Sequence, residues 1–139
     1  MNTSRLIVTA AVLALAGTAV HSADQTEKQP NKRFQKSEAR LEQMIEGRTA
    51  GEPVTCIPVL KPQQFEILEG VALVYDSGDT IYVAKPSDPE VLRRDDVVIV
   101  DRHTSQLCNT DVVRTVDRNN GYFTGVIFLS KFTPYKKQD

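Results

Sequence analysis

From Pro53 to the carboxyl terminus the chain runs as short β-branched stretches cut by proline, glycine, Ser-Gly and Asn-Gly, and this punctuation points to an antiparallel β fold. Such stretches leave no room for crossover helices, which argues against a βαβ architecture. The candidate strands are Val54–Leu60, Phe65–Leu68, Val71–Asp76, Thr80–Ala84, Val97–Val100, Val112–Val116 and a long last strand, Tyr122–Phe132. Pro53, Pro58 and Pro62 remove ladder donors and confine the first of these to an edge or a bulge. Ser77-Gly78 and Asn119-Asn120-Gly121 read as hairpin tips, and Gly125 invites a bend in the last strand. Val97 to Val100 is an unbroken apolar run, which predicts a central strand covered on both faces. Glu90 to Arg94 reads as one helical turn and Lys136-Lys137 as a solvated tail. The expected fold is mainly β: a small antiparallel barrel or sandwich of six to seven strands with one N-terminal amphipathic helix.

Residues 1–23 carry a single cation, Arg5, then an Ala/Val/Leu stretch to Val20 and small residues at Ser22 and Ala23. This is the pattern of a secretory signal peptide. Thr9, Gly17 and Thr18 interrupt the apolar run, which is short for a bilayer span. Residues 24–33 are polar and aperiodic, as expected of a disordered spacer. The amphipathic helix is predicted over 34–48: Phe34, Leu41, Met44 and Ile45 form one stripe, Asn31 serves as cap and Gly47 as stop. So narrow a stripe suits a helix lying against the side of a sheet, with docking on another protein as the alternative. The β domain is then expected over 49–139.

Cleavage of the leader takes Arg5 and His21 with it, leaving 16 basic against 18 acidic residues and His103 as the mature chain's sole histidine. A near-neutral chain with no clustered basic face points away from nucleic acid. Export also makes a disulfide between Cys56 and Cys108 the expected state, since oxidising compartments pair an even cysteine count. The bridge would close a loop of about 50 residues, worth about 4 kcal/mol by chain entropy. No Cys-x-x-Cys is present to suggest redox chemistry.

Chemical constellations are sparse. Asp101-Arg102-His103-Thr104-Ser105 holds acid, base and hydroxyl, which frames a hydrolase centred on His103. Neighbours along a strand point to opposite faces, however, and no Gly-x-Ser-x-Gly elbow accompanies them. Asp117-Arg118-Asn119-Asn120-Gly121 begins like a calcium loop, but its glycine comes one position early and no downstream Glu closes it. One histidine and two paired cysteines give no zinc set. No metal, cofactor or catalytic residue is therefore assigned. Arg114, on the alternating face of its strand, calls for an acidic partner among Asp96, Asp101 and Asp111. The loop from Arg102 to Asp111, pinned by Cys108, is the expected binding surface, with Arg102, His103, Gln106, Asp111 and Arg114 as candidate contacts.

Two resemblances accompany these residues. Arg48-x-Ala50-Gly51-x-Pro53-Val54-x-Cys56-Ile57, then Tyr82-Val83, Asp95-Asp96, Ser105-Gln106-Leu107-Cys108-x-x-Asp111, Asp117-Arg118 and Phe132-x-Pro134-Tyr135 resemble a family of small exported bacterial proteins of unknown function. That resemblance implies an exported two-cysteine β domain and no activity; Thr104 stands where the pattern has glycine, which puts a tight turn there in doubt. The segment from Asp76 to Tyr82, a Ser-Gly tip followed by Tyr, resembles the inhibitory loop of exported bacterial inhibitors of host lysozyme. The expected function is a non-enzymatic periplasmic or secreted domain with a binding or structural role in the cell envelope. Its partner would be a protein or envelope component, with no membrane span after cleavage. The alternatives are lysozyme-type inhibition through the 76–82 hairpin and hydrolysis at His103.

Overall fold

The structure is a computed structural model that describes residues 31–61, 64–101 and 104–138. One helix, α1 (Lys32–Ile45), precedes ten strands: β1 (Arg48–Ala50), β2 (Cys56–Pro58), β3 (Phe65–Leu68), β4 (Ala72–Asp76), β5 (Thr80–Ala84), β6 (Asp96–Val100), β7 (Gln106–Cys108), β8 (Val113–Asp117), β9 (Phe123–Ile127) and β10 (Thr133–Lys137). They form a five-stranded sheet ordered β1-β10-β5-β4-β3, a two-stranded ribbon β2-β7 and a three-stranded sheet β6-β8-β9, with every pairing antiparallel. The mainly β reading holds, but the described strands number ten rather than six to seven, and they do not close into a barrel.

Each difference has a local cause. The expected long strand Tyr122–Phe132 is divided: β9 ends at Ile127, and only single bridges, Pro86 with Leu129 and Val54 with Phe132, carry the chain onward. The expected loop from Arg102 to Asp111 contains β7, which is ordered because Cys56 and Cys108 sit directly opposite and are joined by a disulfide. Arg48 belongs to β1 rather than to the helix, which ends at Ile45 and begins two residues before the expected boundary. Lys136 and Lys137 are not a free tail, since β10 lies between β1 and β5.

Pro134 hid β10, because a proline argues against a central strand. It is tolerated there because its missing N–H falls on the β1 side at the strand's end, where its carbonyl accepts the Gly51 amide at 2.7 Å. Gly51 has little alternative: a Cβ there would stand 3.1 Å from Pro134 Cγ.

The five-stranded sheet is covered on both faces. Leu68, Ala72, Val74, Ile81 and Val83 form one buried layer, against which the helical stripe of Phe34, Leu41, Met44 and Ile45 packs. Burial of that stripe, rather than helix propensity, holds a polar helix in place. Asn31 Oδ1 accepts the Arg33 amide at 3.3 Å, as expected of the cap. The opposite face, including Leu73, Tyr75 and Ala84, packs against Ile57 and Leu107 of the ribbon, Val113 and Ile127 of the three-stranded sheet, and Phe132. Among the described residues, no helix is long and apolar enough to cross a membrane.

Candidate functional site

Two surfaces stand out, both involving β6. The run Val97–Val100 is not central: β6 is an edge of the three-stranded sheet, and Val97 and Ile99 are 40 % and 37 % exposed. Only alternate residues of the run, Val98 and Val100, reach the core. An unbroken apolar run reports two apolar faces, and it does not report whether the chain has an element to spare for each.

The first surface is a cleft of about 780 Å³ bordered by β3, the edge of the five-stranded sheet, by β6, and by α1. The register leaves the β6 edge open toward it. Hydrogen bonds from the Asp101 amide to the Val112 carbonyl and from the Arg118 amide to the Asp95 carbonyl set the alternation, so Val97 and Ile99 turn their backbone groups to β8. Val98 and Val100 turn theirs outward, and among the described residues these groups have no partner. Five cations line the cleft. Arg40 makes a two-point contact with Glu66, Nε to Oε1 at 3.1 Å and Nη2 to Oε2 at 3.3 Å, and Arg33 approaches Glu69 at 3.5 Å. The hydrogen bond and then the charge of Glu66 raise the Arg40 pKa above its ordinary value. Lys36, Arg94 and Arg118 have no anionic partner among the described residues.

Asp96 lies at the inner wall of this cleft and is buried. The Thr124 hydroxyl donates to its Oδ2 at 2.8 Å and lies 2.8 Å from Thr115 Oγ1. Thr124 can reach because it is the extra residue of a bulge, where the register jumps from Thr115 opposite Gly125 to Val116 opposite Phe123. The irregularity expected at Gly125 thus falls one residue earlier.

The second surface is the outer face of the three-stranded sheet. The register sets Val97, Val116 and Phe123 in one row and Ile99, Arg114 and Val126 in the next. Asp101, Val112 and Phe128 continue the same alternation as a third row. Phe123 is 62 % exposed, Phe128 71 % and Val112 52 %. Arg114 and Asp101 form an ion pair in this field, which selects one of the three acids expected to partner that arginine.

The remaining candidates are dispersed. Arg102 and His103 lie outside the described residues, as do the leader, residues 24–30 and Pro62. Gln106 is on the ribbon, its amide donating to Thr104 Oγ1 at 3.2 Å, so the Thr104 hydroxyl makes the turn into β7. Asp111 Oδ2 accepts the Cys108 amide at 2.7 Å and closes the turn after β7. Asp117 Oδ1 accepts the Asn119 and Asn120 amides, and Gly121 has φ +73°, which completes the expected hairpin tip. The 76–82 segment is a hairpin as read, its tip tied by Arg48 to the carbonyls of Asp79 and Gly78 at 2.8 and 3.1 Å. Arg48, Gly51, Asp111, Asp117 and Pro134 thus shape turns and strand ends.

The sequence reading missed Lys36, Arg94, Arg118, Phe123 and Phe128. Phe123 and Phe128 are five residues apart, so strict alternation would set them on opposite faces, and only the bulge at Thr124 brings both to one side. No local signal joins Lys36 to Arg94. Comparison with protein-family models, curated proteins and solved structures finds no match.

Proposed function

We propose that the protein is an exported, non-enzymatic binding module of the cell envelope, periplasmic or secreted, that takes an extended acidic polypeptide segment into the cleft between β3 and β6. The observation that carries this reading is the open β6 edge: Val98 presents backbone groups to a cleft that also holds Lys36, Arg94 and Arg118, Val100 continues the edge beyond it, and among the described residues neither these groups nor the three cations have a partner. An added strand satisfies the edge, and its acidic side chains meet the cations. The leader pattern and the Cys56–Cys108 disulfide support export, since structural disulfides belong to oxidising compartments. The resemblance to small exported bacterial proteins agrees with that placement.

The test is titration of isotopically labelled protein with a capped hexapeptide alternating Glu and Val, and with the Lys-Val counterpart. The acidic peptide is expected to slow hydrogen exchange at the Val98 and Val100 amides, and the basic one is not. Reversal of both cations, Arg94→Glu with Arg118→Glu, is expected to weaken binding at least roughly tenfold. Binding without protection of those two amides, or equal binding of both peptides, refutes strand addition.

A further inference from the structure

We infer that the outer face of the three-stranded sheet is a twofold self-association surface, with a second copy of this chain as its occupant. The inference stands on observations separate from the cleft. Two aromatics at this face, Phe123 and Phe128, are 62 % and 71 % exposed, and together they present roughly 270 Å² of surface. Val97, Ile99 and Val112 extend that area toward the roughly 800 Å² per partner of a standard interface. A monomer rarely leaves so much contiguous apolar surface to water.

The choice of occupant follows from the two charges in the field. Arg114 and Asp101 are paired within the chain and about half exposed. A purely apolar partner would desolvate both at a cost with nothing added. A twofold axis passing midway between the two charges sets Arg114 of each chain over Asp101 of the other, and in an isologous interface that contact occurs twice. The four charges then form a closed network amid apolar side chains. An anionic membrane is a poor match, because Asp101 offsets the charge of Arg114, while Lys36, Arg94 and Arg118 line the cleft between α1, β3 and β6 rather than this face.

The experiment is sedimentation equilibrium on the oxidised protein and its variants over a wide concentration range. Wild type is expected to reach twice the monomer mass. Phe123→Asp is expected to remain monomeric, and the exposure of this side chain keeps the substitution out of the core. Asp101→Arg and Arg114→Asp each create like-charge contacts across the axis and are expected to weaken association roughly a hundredfold. An equimolar mixture of these two variants restores opposite charges at both contacts and is expected to recover the dimer. Wild type that stays monomeric, single variants that dimerise normally, or a mixture that fails to associate overturns the proposal. Co-sedimentation of monomeric wild type with anionic lipid vesicles overturns it in favour of a membrane.

Discussion

The two larger sheets of this protein have apolar residues on both faces and meet opposite fates. In the five-stranded sheet Ile81 and Val83 point away from the shared core and are buried, because α1 lies over them with Phe34, Leu41, Met44 and Ile45. In the three-stranded sheet Val97 and Ile99 point away from the same core and remain at the surface with Phe123 and Phe128. The strands themselves read alike. What separates them is the supply of covering elements, since the described chain has one long helix and it is spent on one sheet. Apolar alternation on an outward face therefore specifies a surface that wants cover, and the origin of the cover is a separate matter.

The largest expected effect removes what both sheets share. Replacing Cys56 and Cys108 with Ala releases the ribbon whose Ile57 and Leu107 are fully buried between the sheets. With 52 residues of separation the chain-entropy cost is about 4 kcal/mol, read by urea unfolding of the variant against the oxidised wild type. A loss below 1 kcal/mol would mean that the two sheets hold together without the staple.

Next in size is a direct contest between the same residue type in the two sheets. Ile81→Ala, beneath the helix at 3 % exposure, is expected to cost about 2–5 kcal/mol. Ile99→Ala is expected to change monomer stability by no more than about 0.5 kcal/mol, measured at low concentration, while weakening association. Equal losses at the two positions would erase the distinction between covered and bare faces.

A smaller effect probes the inner side of the three-stranded sheet. Thr124→Val removes the donor to Asp96 and leaves a buried carboxylate one hydrogen bond short, at an expected cost of about 1–3 kcal/mol by thermal or urea unfolding. A neutral outcome would mean that the bulge serves only to bend β9.

Much of the fold was legible because its signals are local. The helical stripe with its Asn31 cap, the hairpin tips at Ser77-Gly78 and Asn119-Asn120-Gly121, and the pairing of Cys56 with Cys108 each follow from a few neighbouring residues or from a cysteine count of two. The strands that escaped lack such signals. β1 is Arg-Thr-Ala and β10 carries Pro134 and two lysines, so neither shows a period, and both are held by pairing with partners far away in sequence. The candidate site was legible least. Arg114 was singled out and does sit in the bare face, but Gln106 and Asp111 serve a ribbon and a turn. The cleft joins Lys36 of the helix to Arg94 and Arg118, residues separated by most of the chain.

The sequence by itself determined that this chain would be antiparallel, stapled once and flanked by a single amphipathic helix, because turn residues, cysteine number and the 3.6 period act over short distances. Tertiary structure alone decided which sheet the helix would cover, which strand edges would stay open and which cations would share a cleft. Those outcomes depend on how a limited number of covering elements is divided among several apolar faces, and that division is settled by the packing of the whole chain.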